Sequence, residues 1–146
     1  MLKFDKMKIV IPTRYVVIAD DGKFVSSVFD GNIISLKYEQ KQPYQLSIKI
    51  DYNHCEAILE FTGKILGDRY PELISRDTIS VCLQRIHALG LIQFNADEVI
   101  RFGQVYKCDV TTDVALNDIE GLNRFLQINS STIVHDIFMW RKRTSL

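Results

Sequence analysis

The sequence predicts an α+β fold, in which an N-terminal antiparallel β-sheet is followed by helices, a β-hairpin and further helices at the C-terminus. From residue 8 to residue 50, short stretches rich in Val, Ile, Tyr and Phe are separated by turn residues. After residue 51, apolar residues recur at helical spacing. The length of 146 residues suits one domain with a hydrophobic core.

The N-terminal third predicts an antiparallel meander of three to five strands. The strand segments are "KIVIP", "RYVVIAD", "KFVSSVF", "NIISLKYE" and "YQLSIKI". The turns "DDGK" and "DGN" contain Asp-Gly, which tolerates the positive φ that tight hairpins require. In "QLSIKI", Leu46, Ile48 and Ile50 alternate with polar residues. This strand is therefore expected to have one face in the core and one in water.

A first helix is predicted over "DYNHCEAILEFTGKILG", residues 51–67. Asn53 is a good N-cap, Glu56 lies three residues later as in a capping box, and Gly67 is a plausible C-cap. The apolar stripe would comprise Cys55, Ile58, Leu59, Thr62, Ile65 and Leu66. The following "DRYPEL", with Pro71 in its first turn, predicts a short second helix.

The segment "ISRDTISVCLQRIHALGLIQF" predicts a third helix at about residues 76–89, capped by Ser75 or Asp77 and ended by Gly90. Its core stripe would be Ile79, Cys82, Leu83, Ile86 and Leu89. Next come "LIQF", the turn "NADE" and "VIRFGQVYKCDV", which predict a β-hairpin at about residues 91–109. This order is that of a winged helix-turn-helix, a helix-turn-helix followed by a hairpin wing.

Two regions are predicted. Residues 1–112 would hold the sheet and the winged helix, and residues 113–146 a C-terminal helical extension. Apolar residues at helical spacing in the extension are Leu116, Ile119, Leu122, Phe125 and Leu126. Phe138 and Trp140 could supply a dimer interface, although packing on the domain's own core is the alternative.

The recognition helix of a helix-turn-helix offers its outer face to the major groove of DNA. In the predicted winged helix, the recognition helix is the third helix. Arginine suits guanine or phosphate, and glutamine suits adenine. A solvated helix surface is the alternative for the arginines, and helix capping is the alternative for Thr78. The predicted DNA contacts are Arg76, Thr78, Ser80, Val81, Gln84 and Arg85, with Arg101 and Lys107 on the wing.

The stretches "DTISVCLQRIHAL" and "EVIRFGQVYKC" resemble the recognition helix and wing of OmpR/PhoB-type winged helices, and above all their ToxR-like cytoplasmic relatives. The matching wing residues are Ile100, Gly103, Tyr106 and Lys107, and the resemblance extends over residues 24–108. It implies a cytoplasmic, dimeric transcription regulator that binds double-stranded DNA.

The charge balance favours a different class of function. The chain has 18 Lys and Arg and 18 Asp and Glu, for a formal net charge of zero. Nucleic-acid binders are usually basic, because much of their affinity comes from neutralising phosphates. The alternative is therefore a protein- or peptide-binding module, such as an adaptor, an anti-repressor, an immunity protein or a peptide-recognition domain.

An enzyme is not expected, because the sequence has no nucleophile elbow, phosphate-binding glycine loop or HExxH motif. No cofactor or metal is predicted. Cys55, Cys82 and Cys108 are far apart and lie in apolar patterns, which predicts buried thiols in a reducing compartment. No apolar run reaches the roughly 18 residues of a membrane span, so a cytoplasmic protein is expected.

Overall fold

A six-stranded antiparallel sheet dominates the computed structural model, which describes residues 2–111. Its strands are β1 Lys3–Pro12, β3 Val25–Phe29, β4 Asn32–Gln40, β5 Leu46–Asp51, β6 Glu56–Thr62 and β8 Gln104–Thr111, in the spatial order β3-β4-β5-β6-β1-β8. Strands β2 Val16–Ile18 and β7 Ile92–Phe94 form a separate antiparallel pair. The predicted extension over residues 113–146, including Phe138 and Trp140, lies outside the described residues.

The described helices are short. They comprise the 3-10 helices Thr13–Tyr15, Asp21–Lys23 and Gly63–Glu72, and the α-helices α1 Ile79–Ala88 and α2 Ala96–Phe102. None of these helices is long and apolar enough to cross a bilayer. Most of these helices lie between strands. The strands hold more of the described residues than the helices do, so this part of the chain is mostly β.

One face of the large sheet is buried. Along β5, Leu46, Ile48 and Ile50 are buried while the residues between them are partly exposed, as the sequence predicts. Because successive side chains of a strand point to opposite faces, this alternation places the apolar residues on one side of the sheet. The core that they join comprises Met7, Ile9, Ile11, Ala57, Leu59, Phe61, Ile65, Leu66, Ile74, Leu83, Ile86, Ile92 and Val99, among others.

The predicted meander is confirmed for β3, β4 and β5, which are consecutive neighbours in the sheet. Asp30 and Gly31 form the β3–β4 turn, with φ of 51° and 77°, the two positive angles expected of a tight hairpin. The segment "RYVVIAD" differs from the prediction, because β2 leaves the meander to pair with β7. Strand β1 lies between β6 and β8, a long-range placement that local patterns cannot encode.

The predicted first helix over residues 51–67 is wrong. Strand β6 occupies the seven residues in the middle of this segment and pairs with both β5 and β1. Asp51 stabilises the β5–β6 turn, because its Oδ1 accepts hydrogen bonds from the backbone N–H groups of Asn53 and His54. The buried apolar residues of β6 are Ala57, Leu59 and Phe61, a period of two that is typical of a strand, although the same segment also has apolar residues at helical spacing. Hydrogen bonding to the two neighbouring strands, β5 and β1, favours the strand over the helix.

The predicted wing is also wrong, and with it the winged helix-turn-helix and the fold class built on it. Instead of pairing with each other, β7 pairs with β2 and β8 with β1. The expected turn "NADE" begins α2, because Asn95 Oδ1 accepts hydrogen bonds from the N–H groups of Asp97 and Glu98 at 2.8 and 3.2 Å. Two acidic residues in the first turn favour this helix further. The large sheet with short helices after it replaces the predicted architecture.

The third predicted helix exists as α1, although it begins at Ile79 rather than near residue 76. Cys82, Leu83 and Ile86 are buried as predicted, and Gly90 follows the helix with a φ of 75°. Leu89, expected in the core, is exposed. The helix is one wall of a β-rich core rather than the third helix of a helix-turn-helix.

Candidate functional site

The residues predicted to read DNA from α1 differ in accessibility. Arg76, which precedes the helix, and Gln84 and Arg85 within it are exposed, whereas Ser80 and Val81 are half-buried. The Arg76 side chain makes no hydrogen bond or ion pair with the described residues. Only part of the predicted face is therefore open to a ligand.

Thr78 is not available as a contact. Its side chain is buried, and its Oγ1 accepts a hydrogen bond from the Ser75 N–H at 2.8 Å while donating one to the Leu73 carbonyl at 2.7 Å. Leu73 has a φ of 60°, an unusual conformation for a leucine. The Thr78 hydroxyl therefore holds the irregular segment that leads into α1.

Arg85 has a structural partner. Its Nη1 donates a hydrogen bond to the Ile65 carbonyl at 3.2 Å, across to the 3-10 helix Gly63–Glu72. Gly67 has a φ of 61°, and a Cβ there would lie 3.0 Å from the same Nη1. The guanidinium thus packs against the backbone where the 3-10 segment kinks.

We expect Arg85→Ala to lower the free energy of unfolding by about 1 kcal/mol, since it removes a charged donor from a backbone carbonyl at a partly exposed site. Arg76→Ala is the matched control, with an expected change within about 0.5 kcal/mol, as for ordinary surface substitutions. Urea unfolding of both variants measures the difference. Equal stabilities would contradict a structural role for Arg85.

Arg101 and Lys107, the predicted wing contacts, are not brought to the α1 face as a pair. Arg101 lies on α2, with its guanidinium 5.3 Å from the Phe102 ring centroid. Lys107 lies opposite Lys8, one residue from the buried pair Met7 and Cys108. Because neighbouring residues alternate between faces, Lys107 points away from the core face on which α1 packs. The predicted contacts therefore do not form one continuous surface.

Among residues 2–111, the largest group of exposed apolar side chains lies on the β3–β4 hairpin. Val25, Val28 and Phe29 are 74%, 60% and 72% exposed, and Ile33 across the turn is 51% exposed. Clustered apolar exposure of this kind is typical of interaction sites. The sequence predicts a strand over "KFVSSVF" but no binding site there, although the segment carries no charge after Lys23.

The base of this hairpin is firmly attached to the core. Phe24 is buried and its ring lies 6.0 Å from that of Tyr38 in β4. Its N–H also donates to the Asp21 carbonyl at 3.0 Å. The hairpin beyond Phe24 is therefore held in place while its side chains remain exposed.

Within residues 2–111, strand β3 is an edge strand of the sheet. Among these residues it pairs only with β4, and every one of its five residues is exposed. Natural edge strands are commonly guarded by lysine, proline or other charges, whereas "VSSVF" has none. The extra residue at the register shift, Ile34, lies in β4, so β3 keeps its regular alternation. The free edge therefore offers an uninterrupted row of backbone groups.

Both faces of β3 carry apolar side chains. Ser26 lies opposite the buried Leu36, so Ser26 and Val28 share the core-side face. Val25 and Phe29 lie on the other face. Exposed strands normally have one polar face, and a strand that is apolar on both faces is typical of the interior of a sheet.

The cysteine thiols differ in burial, and the carboxyl group of Asp51 has a perturbed pKa. Burial raises the pKa of the Cys82 thiol to about 12, which keeps it protonated and unreactive. Cys108 is also buried, as predicted, whereas Cys55, predicted to be buried, is exposed in the β5–β6 turn. The hydrogen bond from His54 lowers the pKa of Asp51, whose Oδ2 lies 3.0 Å from His54 Nδ1. This pair belongs to the turn that replaces the predicted helix cap.

No protein-family model, curated protein or solved structure matches the chain. The comparisons therefore indicate neither a family nor a function, and they give no support to the sequence resemblance to OmpR/PhoB-type winged helices.

Proposed function

We propose that this chain is a protein-binding domain that adds an extended segment of a partner to its sheet at the free edge of β3. One observation carries the proposal: an uncharged edge strand, exposed along its whole length and apolar on both faces. In strand addition, main-chain hydrogen bonds supply affinity and alternate side chains supply specificity. Strand β3 offers both. The backbone groups of its free edge can form the hydrogen bonds, and its exposed side chains are Val25 and Phe29 on one face and Val28 on the other.

The neutral charge supports a protein partner over DNA. The chain's formal net charge is zero, and the predicted DNA contacts are divided among α1 with the residues just before it, α2, and the outer face of β8. Phosphate-dominated binding needs clustered cations. DNA binding stays a prediction from the residue types on α1, without a winged helix to support it.

The proposed setting is the cytoplasm. Cys55 is exposed and Cys82 is buried, and neither forms a disulfide with another described cysteine. Exposed thiols persist in reducing compartments.

A displayed library of random seven-residue peptides, selected against the full chain, tests the proposal. We expect enriched peptides to be extended and apolar at alternate positions, because such segments fit a strand that is apolar on both faces. Val28→Lys should abolish their binding, because lysine on an edge strand opposes strand addition.

Val17→Lys is the matched control, since Val17 is 61% exposed and Val28 is 60% exposed, on different strands. Bound peptides should slow amide hydrogen exchange within residues 25–29 and leave β2 unchanged. Selected peptides that bind both variants equally, or that protect another surface, would overturn the proposed site.

A further inference from the structure

We propose that the partner of β3 is β3 of a second copy of this chain, paired antiparallel about a two-fold axis at Ser27. This inference rests on the proposed function, because it names the partner for the same edge. It joins the two six-stranded sheets into one sheet that runs through both copies. Isologous interfaces of this kind use the same patch on both subunits and close after two copies.

Symmetry restricts the register. Opposite residues in an antiparallel pair alternate between hydrogen-bonded and non-hydrogen-bonded pairs. A two-fold axis must map each pair onto a pair of the same type, so the central pair has to be a residue facing its own copy. Centring on Ser27 uses all five residues of β3, whereas any other centre leaves part of the strand unpaired.

The side chains match in this register. Val25 faces the partner's Phe29 at both ends of one sheet face, and Ser27 faces its own copy between them. On the other face, Ser26 faces the partner's Val28. Apolar pairs directly across two strands stabilise a sheet, and Val25 and Phe29 are the most exposed apolar side chains of the hairpin. Pairing in this register therefore reduces the exposure of Val25 and Phe29 to water.

Charges at the strand ends favour the antiparallel direction. Lys23 precedes β3 and Asp30 follows it, and both are exposed. Antiparallel pairing brings the Lys23 end of one copy beside the Asp30 end of the other. Parallel pairing would bring like charges together, which is unfavourable. The zero net charge of the chain adds no overall repulsion between two copies.

Sedimentation equilibrium of the full chain tests the pairing. We expect a reversible monomer–dimer equilibrium, a dimer dissociation constant raised about tenfold or more by Val28→Lys, and no change with Val17→Lys, because only the first places two lysines in the interface. A monomer at every concentration, open-ended aggregation, or equal effects of the two variants would each overturn the inference.

Cysteine cross-linking tests the register, in a Cys55→Ser background that removes the exposed thiol. Residues directly opposite each other have Cα atoms about 4.5–5.5 Å apart, so Ser27→Cys should form a disulfide between copies on mild oxidation. Ser26→Cys should not, since two residues of offset separate its copies by roughly 8 Å, beyond the reach of a disulfide at about 7 Å. Cross-linking at Ser26 instead would overturn the Ser27 axis.

The two proposals fail separately. A monomeric chain that still binds library peptides along β3 overturns self-pairing and leaves strand addition standing. A chain that neither self-associates nor binds peptides at β3 overturns both.

Discussion

Thr78→Val should lower the free energy of unfolding by about 2–4 kcal/mol, because it leaves the buried Ser75 N–H and the half-buried Leu73 carbonyl without hydrogen-bond partners. The hydroxyl accepts from the Ser75 N–H and donates to the Leu73 carbonyl, and the side chain is 2% exposed. Valine keeps the shape and removes both bonds. The expected fall in melting temperature is roughly 10 °C for a domain of this size.

Thr78→Ser is the control for this prediction. Serine keeps the hydroxyl and loses one methyl group, so its cost should be about 1 kcal/mol. Urea unfolding and thermal melting followed by circular dichroism measure both variants. A Thr78→Val protein as stable as the wild type would show that the hydroxyl is not needed inside the fold, which is the outcome expected if Thr78 were a surface contact for DNA.

Gly103→Ala should cost on the order of 2–3 kcal/mol, the range seen when atoms are forced into a packed core. A Cβ at Gly103 would collide with the Val99 carbonyl oxygen and lie 2.8 Å from Ile9 Cγ2. The Val99 oxygen cannot retreat freely, because it already accepts the Gly103 N–H at 2.8 Å. With a φ of −70°, Gly103 is required for space rather than for an unusual backbone angle.

Gly22→Ala is the matched control, because the nearest atom to its added Cβ is Asp20 Oδ1 at 3.4 Å. Its expected effect is within about 0.5 kcal/mol. The difference in urea midpoint between the two variants measures the crowding at Gly103. If both alanines were tolerated equally, the close contact between the end of α2 and β1 would not constrain the fold.

Local chemistry was sufficient for several elements. Asp30 and Gly31 predicted a tight turn, the alternation of Leu46, Ile48 and Ile50 predicted a half-buried strand, and Gly90 predicted the end of α1. Each signal comes from a few neighbouring residues, through φ preferences or side-chain periodicity. Pairing partners many residues away do not change them.

Other segments admitted two local readings. The run from Ala57 to Thr62 has apolar residues at both helical and strand spacing, and Asn95 suits a hairpin turn as well as a helix cap. Asn95 predicts a hairpin turn only if β7 and β8 pair with each other. With Glu98 three residues later, it also carries the signal of a helix cap, and this is the structure that forms.

The candidate site shows the same division. Residue types alone predict Arg76, Thr78 and Arg85 as DNA contacts. The burial of Thr78 and the hydrogen bond from Arg85 to the Ile65 carbonyl are known only from the fold. The uncharged character of "VSSVF" was readable in the sequence. Its position at the sheet edge could not be read from the sequence, because an edge strand and a central strand differ only in the number of neighbouring strands.

The sequence by itself determined the tight turn at Asp30 and Gly31, the one apolar face of β5, and that "VSSVF" is uncharged. Only the tertiary structure decided that β6 is a strand, that β7 and β8 separate, and that β3 has a free edge. The physical reason is that hydrogen bonding between strands is non-local: β8 pairs only with β1 among the described strands, and β6 reaches its second partner only when β1 lies beside it. Turn angles and helix caps, in contrast, are fixed within a few residues.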